Sequence, residues 1–328
     1  MERNEQFERM RALHMAATGR DLHTDVPLSN VALGYRPEQG IADLILPVID
    51  VPNQSGFVTE FFSKDQLRVE RTRRAPGTEA NRVDREVGSQ SYFCKNYALK
   101  TGVTVEDLAN ADAVKRSVLF DGAAEFLVTK HWLDWETRIA SLIATTNVGS
   151  SAGVASAWNG AGNPIANLNT ALDVVKDTTG VRANCILMGE KAWNSFRRDS
   201  TVRNLIYGTN NGGGFATVQA IKDLFEVDEF LVSRSVKNTA NEAATESLSR
   251  VLADHVLCYV KPKKPAINVP SWAYSYRWSV QGVPSMQAER HPYDGTRKQT
   301  DVEVGYYQDE KVTGSRYAYL ILAVNSST

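Results

Sequence analysis

The sequence predicts an α+β chain, and three observations carry that prediction. Two stretches rich in aromatic and β-branched residues flank a charged Pro-Gly turn, one amphipathic segment runs on for about 30 residues, and helix-like and strand-like segments alternate through the second half. At 328 residues the chain has room for about two domains and a large apolar core.

Residues 1 to about 25 predict a short helix. The stretch after it, "HTDVPLSNVALGYRPEQGIADLILPVIDVPNQSG", holds four prolines and no sustained helical period, so an extended, partly ordered arm is expected. From Phe57 to about Leu67, and again from about Gln90 to Val105, strand-forming residues dominate. Tyr97, Leu99, Thr101, Val103 and Val105 fall on one face at period two, and the two stretches are expected to be the strands of one long hairpin. Its tip is "RVERTRRAPGTEANRVDRE", residues 68–86, with six arginines and four acids. Pro76-Gly77 suits the central positions of a type II turn, where proline sets the first φ and glycine supplies the positive second one.

The strongest helical signal is "ADAVKRSVLFDGAAEFLVTKHWLDWETRIASLIATTN". Phe120, Ala124, Val128, Trp132, Trp135, Ile139 and Leu142 recur at spacings of three and four and lay an apolar stripe along one face. There is no sustained heptad, so the helix reads as the backbone of a broad, flat body, not as a coiled coil. The small residues of "NVGSSAGVASAWNGAGNP" read as a linker and domain boundary. Beyond them come a helix in "PIANLNTALDVVKDTTG", a strand in "ANCILMG", a helix in "EKAWNSFRRDSTVRNLIYG", a glycine-rich loop, a helix in "TVQAIKDLFEV" and the strands "EFLVSRSV" and "VLADHVLCYV". The aromatic-rich end closes with two strands around "DEKVTGSR", and Tyr317 to Val324 is apolar enough for a central strand buried on both faces.

A net charge of −1 gives no global attraction to nucleic acid or anionic membrane, and no segment has the roughly 20 apolar residues that cross a bilayer. Cys94, Cys185 and Cys258 are too far apart for a zinc motif and odd in number, so buried free thiols are expected. Catalytic patterns do not hold together. "GSSAG" matches the nucleophile-elbow string at Ser151, but a long helix, not a strand, is expected before it. "YGTNNGGGFAT" lacks the Gly-Lys-Ser/Thr ending of a phosphate loop and reads as a surface loop. His255 and Cys258 stand three apart on an expected strand and so point to opposite faces. His131 is placed on the polar flank of the long helix, solvated or hydrogen-bonded to a neighbour. Neither an active site, a metal nor a cofactor is expected. At the tip, Arg68, Arg71, Arg73, Arg74, Arg82 and Arg85 are offset by Glu70, Glu79, Asp84 and Glu86, and aromatic residues for base stacking are missing. Such a mixture suits docking on a protein surface, where arginine forks pair with carboxylates in a fixed register.

These parts in this order resemble the tailed-phage major capsid proteins of the Hong Kong 97-like fold. "IADLILPVIDVPNQSGFVTEFF", "RAPGTEANRV", "SYFCKNYALKTGVTVEDLANAD" and "DVEVGYYQDEKVTGSRYAYLILAVN" carry the likeness, which spans nearly the whole chain. The resemblance implies an N-terminal arm leading into the peripheral (P) domain over residues 1–55 and an E-loop hairpin over 56–105. It puts a P domain with a spine helix at 106–148, an axial (A) domain at 149–300 and C-terminal strands returning to the P domain at 301–328. It further implies self-assembly into hexamers and pentamers of an icosahedral head, with the tip residues Arg68, Arg71, Arg73, Arg74, Glu79, Arg82 and Arg85 as intersubunit contacts. The implied partners are other copies of the chain, a separate scaffold protein, a portal, a cement protein and double-stranded DNA enclosed without sequence-specific binding, with no membrane. The location implied is the virion, assembled in the host bacterial cytoplasm. Some members form Lys-Asn crosslinks; Lys64 and Lys95 lie in the hairpin, but nothing identifies a crosslinking site. An encapsulin-type shell enclosing a cargo enzyme is the alternative with the same fold.

Overall fold

The computed structural model describes residues 25–61, 67–70, 72–84, 87–111, 115–208, 214–241, 244–252, 254–266, 269–279 and 285–325. The helix expected before residue 25 lies outside them. The first described element corrects the expectation of an extended arm, because Val26–Gly34 is a helix, α1. Asp25 accepts the amide of Leu28 at 3.1 Å, and Pro27 sits in the first turn, where its missing N–H costs nothing. Leu28 and Ala32 are buried in the body, so tertiary contact supplies what local periodicity did not announce. A one-turn helix α2 (Ala42–Ile45) and a strand β1 (Val48–Val51) follow.

The hairpin is shorter than expected. β2 (Ser55–Phe61) pairs antiparallel with β3 (Val87–Phe93), and the chain then breaks at Cys94. β4 (Lys95–Thr104) leaves the hairpin and lies along a different strand altogether, in a second ladder. After a short α3 (Val105–Asn110), the long helix α4 spans Lys115–Leu142, 28 residues or about 42 Å. Its stripe is real: Phe120, Ala124, Val128, Trp135 and Ile139 are buried.

The stretch read as a linker is built into a sheet. Ser150–Gly153 forms β5, the amide of Trp158 donates to the Val324 carbonyl at 2.7 Å, and Trp158 is buried. Small residues here serve close approach; a side chain on Gly149 would collide with the backbone of Arg316. α5 (Pro164–Thr179) and β6 (Cys185–Gly189) follow as expected. The next expected helix is two, α6 (Glu190–Arg198) and α7 (Ser200–Tyr207), because Asp199 turns its carboxylate onto the amides of Thr201 and Val202 and starts a new cap. The chain continues through α8 (Val218–Phe225), β7 (Glu229–Ser233), β8 (Val236–Asn238), β9 (Leu248–Arg250) and β10 (Val256–Tyr259). It ends with β11 (Ala273–Trp278), β12 (Met286–Arg290), β13 (Gln299–Val312) and β14 (Ala318–Leu322).

Two five-stranded sheets organise these elements. In the first, β13 runs 14 residues, with β4 along one edge and β11 and β12 end to end along the other; β1 joins β11 in parallel. The second has the order β5-β14-β10-β6-β7. Residues 301–328 therefore do not travel together: β13 is the axis of the first sheet, whereas β14 is an interior strand of the second. β11 and β12, from within 149–300, also belong to the first sheet.

Three apolar cores result. The largest joins the second sheet to α5, α6 and the C-terminal half of α4 through Trp135 and Ile139. Another joins α1 and the N-terminal half of α4, through Phe120, Ala124 and Val128, to Val302 and Val304 of β13. The third lies at the foot of the hairpin.

Candidate functional site

The hairpin leaves the body from a rigid foot. Alternation puts Val58 and Tyr92 on the inner face, where they pack with Ile49, Val51, Tyr274 and Tyr276. The Tyr92 and Tyr276 rings stack with centroids 5.0 Å apart. Gly56 lies across the ladder from Tyr92, whose hydroxyl would be 2.8 Å and ring 2.9 Å from any Cβ there, so the close approach favours glycine. Polar clasps complete the foot: the amide of Phe93 donates to Asp309 at 3.0 Å, Gln54 donates to the Cys94 carbonyl at 3.1 Å, and the Tyr92 hydroxyl donates to the Asn53 carbonyl at 3.2 Å. Cys94 is fully buried where the chain turns into β4. Its thiol is pushed up to about 12 by burial and by the nearby Asp309 carboxylate, which makes it a packing group, not a nucleophile.

The tip has the opposite character. All described residues from 67 to 84 are exposed. The expected turn is present: the Thr78 amide donates to the Ala75 carbonyl at 3.3 Å, and Gly77 has φ +82°. Arg68 pairs with Glu70 at 2.9 Å and Arg82 with Asp84 at 3.0 Å, both in water. Arg73, Arg74 and Glu79 make no ion pair among the described residues. Arg71 and Arg85 lie outside those residues, as does Lys64; Lys95 is exposed on β4. Apolar side chains on the arm are bare too, with Val69 95% and Phe57 79% exposed.

Sequence reasoning missed the polar knot that ties α4 to the first sheet. Arg138 donates from Nη2 to Glu310 Oε1 at 2.9 Å and to the Tyr306 hydroxyl at 3.1 Å, bonds Asp134 one turn back, and lies 3.9 Å from the centre of the Tyr97 ring. Burial works against this charge, but Glu310 and Tyr306 outweigh it and the guanidinium pKa is raised. The only trace in the sequence is an arginine beside the apolar stripe. His131, expected on a polar flank, is buried: its Nε2 lies 2.8 Å from the Val304 carbonyl and its ring meets Tyr306 edge-on. Burial lowers its pKa, although the bond to Val304 opposes the shift.

The discarded catalytic patterns stay apart. Ser151 is exposed on the edge strand β5. His255 Nδ1 accepts the amide of Ala323 at 3.3 Å, and Cys258 is fully buried with its thiol pKa driven upward by desolvation. The centre of the glycine-rich loop, residues 209–213, lies outside the described residues. Among the described residues no group of three His, Cys, Asp or Glu side chains is arranged to hold a metal ion, and no helix is long and apolar enough to cross a membrane. What the arrangement offers is mechanical: an anchored arm whose described tip residues are exposed and charged.

Comparison with known proteins follows the same line. No family model matches the chain. It is 23% identical over 314 residues to the major capsid protein of Burkholderia phage BcepMu, covering 92% of this chain and 96% of that one. It is 23% identical over 237 residues to the major capsid protein of Pseudomonas phage JBD67, covering 70% and 75%. Among solved structures, a phage-related protein of Bordetella bronchiseptica RB50 superposes with a TM-score of 0.72 at 20% identity, covering 94% of this chain and 99% of that chain. The capsid of cyanophage P-SCSP1u matches at a TM-score of 0.52 and 13% identity, covering 89% and 90%. The SrpI encapsulin of Synechococcus elongatus PCC 7942 matches at 0.54 and 14%, covering 93% and 96%.

Proposed function

We infer that the chain is a phage major capsid protein, a structural component of the virion and not an enzyme. The observation that carries this reading is the arm. Its foot is locked into a core, while the described residues of its tip, 67–70 and 72–84, are exposed, apolar and charged side chains together. Nearly full-length similarity to one protein named major capsid protein, and similarity over about three quarters of another, support the same reading.

The physical logic is closed self-assembly. When each copy reaches onto the next through one heterologous contact, rings close, and rings of six and five tile an icosahedral shell. Each contact can be weak, because many act together at high effective concentration. In this reading the hairpin is the E-loop, α4 is the spine and the first sheet is the P domain, while the second sheet with α5 to α8 is the A domain. Arg68, Arg71, Arg73, Arg74, Glu79, Arg82 and Arg85 meet a neighbouring copy. Arg68 and Arg82 can exchange their solvated partners at little cost. A separate scaffold, a portal, a cement protein and packaged double-stranded DNA are the further partners, with assembly in the host bacterial cytoplasm. The encapsulin likeness lies in the fold, whereas both sequence relatives are phage proteins, and this favours a genome over an enzyme as the enclosed cargo.

Light scattering and electron micrographs of the purified protein test the reading. Capsomers or shells are expected; a monodisperse single chain across micromolar concentrations overturns it.

A further inference from the structure

A cavity of about 100 Å³ lies beneath the long helix, walled by Leu33 of α1, Trp132 and Trp135 of α4, Arg277 of β11, Met286 of β12 and Gln308 of β13. It has room for a few waters or for one group of carboxylate size.

Charge is not balanced around it. Two guanidiniums, Arg138 and Arg277, lie between α4 and the first sheet, and Glu310, the carboxylate of that layer, is bonded to Arg138 at 2.9 Å. Arg277 is half-buried and makes no hydrogen bond or ion pair among the described residues; its contact with α4 is the Trp135 ring, whose centre is 5.9 Å away. Asp50 and Asp43 attract it from a distance without offsetting burial, which lowers its pKa, and Asp43 is itself held by Arg36 at 2.9 Å. Residues 280–284, which precede the lining residue Ser285 in the chain and lie outside the described residues, read "VQGVP" and bring no charge.

Two of the lining residues also carry buried polar atoms without a partner. Trp135 has an indole Nε1–H with no acceptor. Gln308 is fully buried and donates from Nε2 to Glu310 at 3.1 Å, which leaves its Oε1 over. Buried polar groups are nearly always satisfied, so the cavity calls for a molecule that brings acceptors. A guanidinium fork beside an indole N–H matches the two oxygens of a planar carboxylate. One negative charge balances Arg277, whereas a phosphate would bring a second towards Glu310. Leu33, Trp132 and Met286 suit a short alkyl group, and Gln308 Oε1 remains for a water or for a donor on the same molecule.

We propose that the cavity between α1, α4 and the first sheet binds a small monocarboxylate anion, held by Arg277 and Trp135. The site belongs to a single chain and does not depend on assembly.

Isothermal titration calorimetry and thermal melts of the purified protein in sodium acetate, against sodium chloride at equal ionic strength, test it. Acetate should bind saturably and raise the melting temperature, and chloride should do neither. Arg277→Met should weaken acetate binding by about tenfold or more. Trp135→Phe keeps a ring in place and removes the N–H, and should weaken it severalfold; it decides alone if Arg277→Met does not fold. Absence of saturable acetate binding to the wild type assigns the cavity to water and overturns the proposal. Wild-type acetate affinity in either variant that still melts cooperatively overturns it as well, because the anion would then sit elsewhere.

Discussion

Arg138 shows how much one side chain can hold. Replacing it with methionine leaves Glu310, whose side chain is only 6% exposed, without its cation, and a stranded charge of this kind costs about 3–5 kcal/mol. Chemical denaturation of Arg138→Met should show a loss of that order, with much of it restored by adding Glu310→Gln. His131 supplies a pH dependence. Its folded pKa is lowered by burial, so the unfolded chain takes up the proton first: its contribution is complete above about 6.5 and is lost as pH falls from there through the folded value. Glu136 has the opposite sign, since burial raises its carboxyl and its contribution grows as pH falls. His131→Gln should therefore flatten the decline of stability below pH 6.5 relative to wild type, as read by thermal melts across pH. The hydrogen bond at His131 was one of the two expected outcomes, but its burial and the knot around Arg138 were not legible beforehand. A histidine or arginine beside an apolar stripe looks the same in a sequence whether it faces water or a tyrosine on a distant strand.

Elements were legible where a local rule decides them. The stripe of α4, the Pro76-Gly77 turn and the double burial of β14 each follow from spacing or backbone preference, and each stands in the structure. The misses occurred where a distant partner decides. Val26–Gly34 is helical because α4 and β12 receive it, and the strand running from β3 into β4 breaks at Cys94 because its two halves have different neighbours. The arm's role is testable at this scale. Replacing residues 70–86 by a tight Asn-Gly turn should leave the melting of the unassembled chain nearly unchanged, since the described part of that stretch buries nothing, yet lower shell yield and salt tolerance. Arg73→Glu/Arg74→Glu should hurt assembly more than the alanine pair, because it adds repulsion to lost attraction. Wild-type yield from the shortened variant would make this stretch a plain solvated loop.

For the molecule as a whole, the number of bodies was the least legible feature. A run of small residues suggested a boundary after α4, but β5 lies inside that run and pairs with β14, nearly at the other end of the chain. Composition is silent on such crossings, because a glycine that loosens a linker and one that lets two backbones touch are the same residue. The two sheets share chain repeatedly, through β13 and β14 and through α4.

That sharing sets how the chain comes apart. α4 gives its first half to one core and its second half to another, so neither core can melt without stripping one side of a continuous helix. Calorimetry of the unassembled protein should accordingly show one endotherm with matching van't Hoff and calorimetric enthalpies, although two sheets are present. Two resolved peaks would mean that the helix breaks near its middle. The same continuity makes α4 a tie between the sheets: near its C-terminal end Arg138 is bonded to Glu310 and Tyr306 of β13, while Trp135 and Ile139 on neighbouring turns sit in the core of the second sheet, so a load on either sheet is passed to the other.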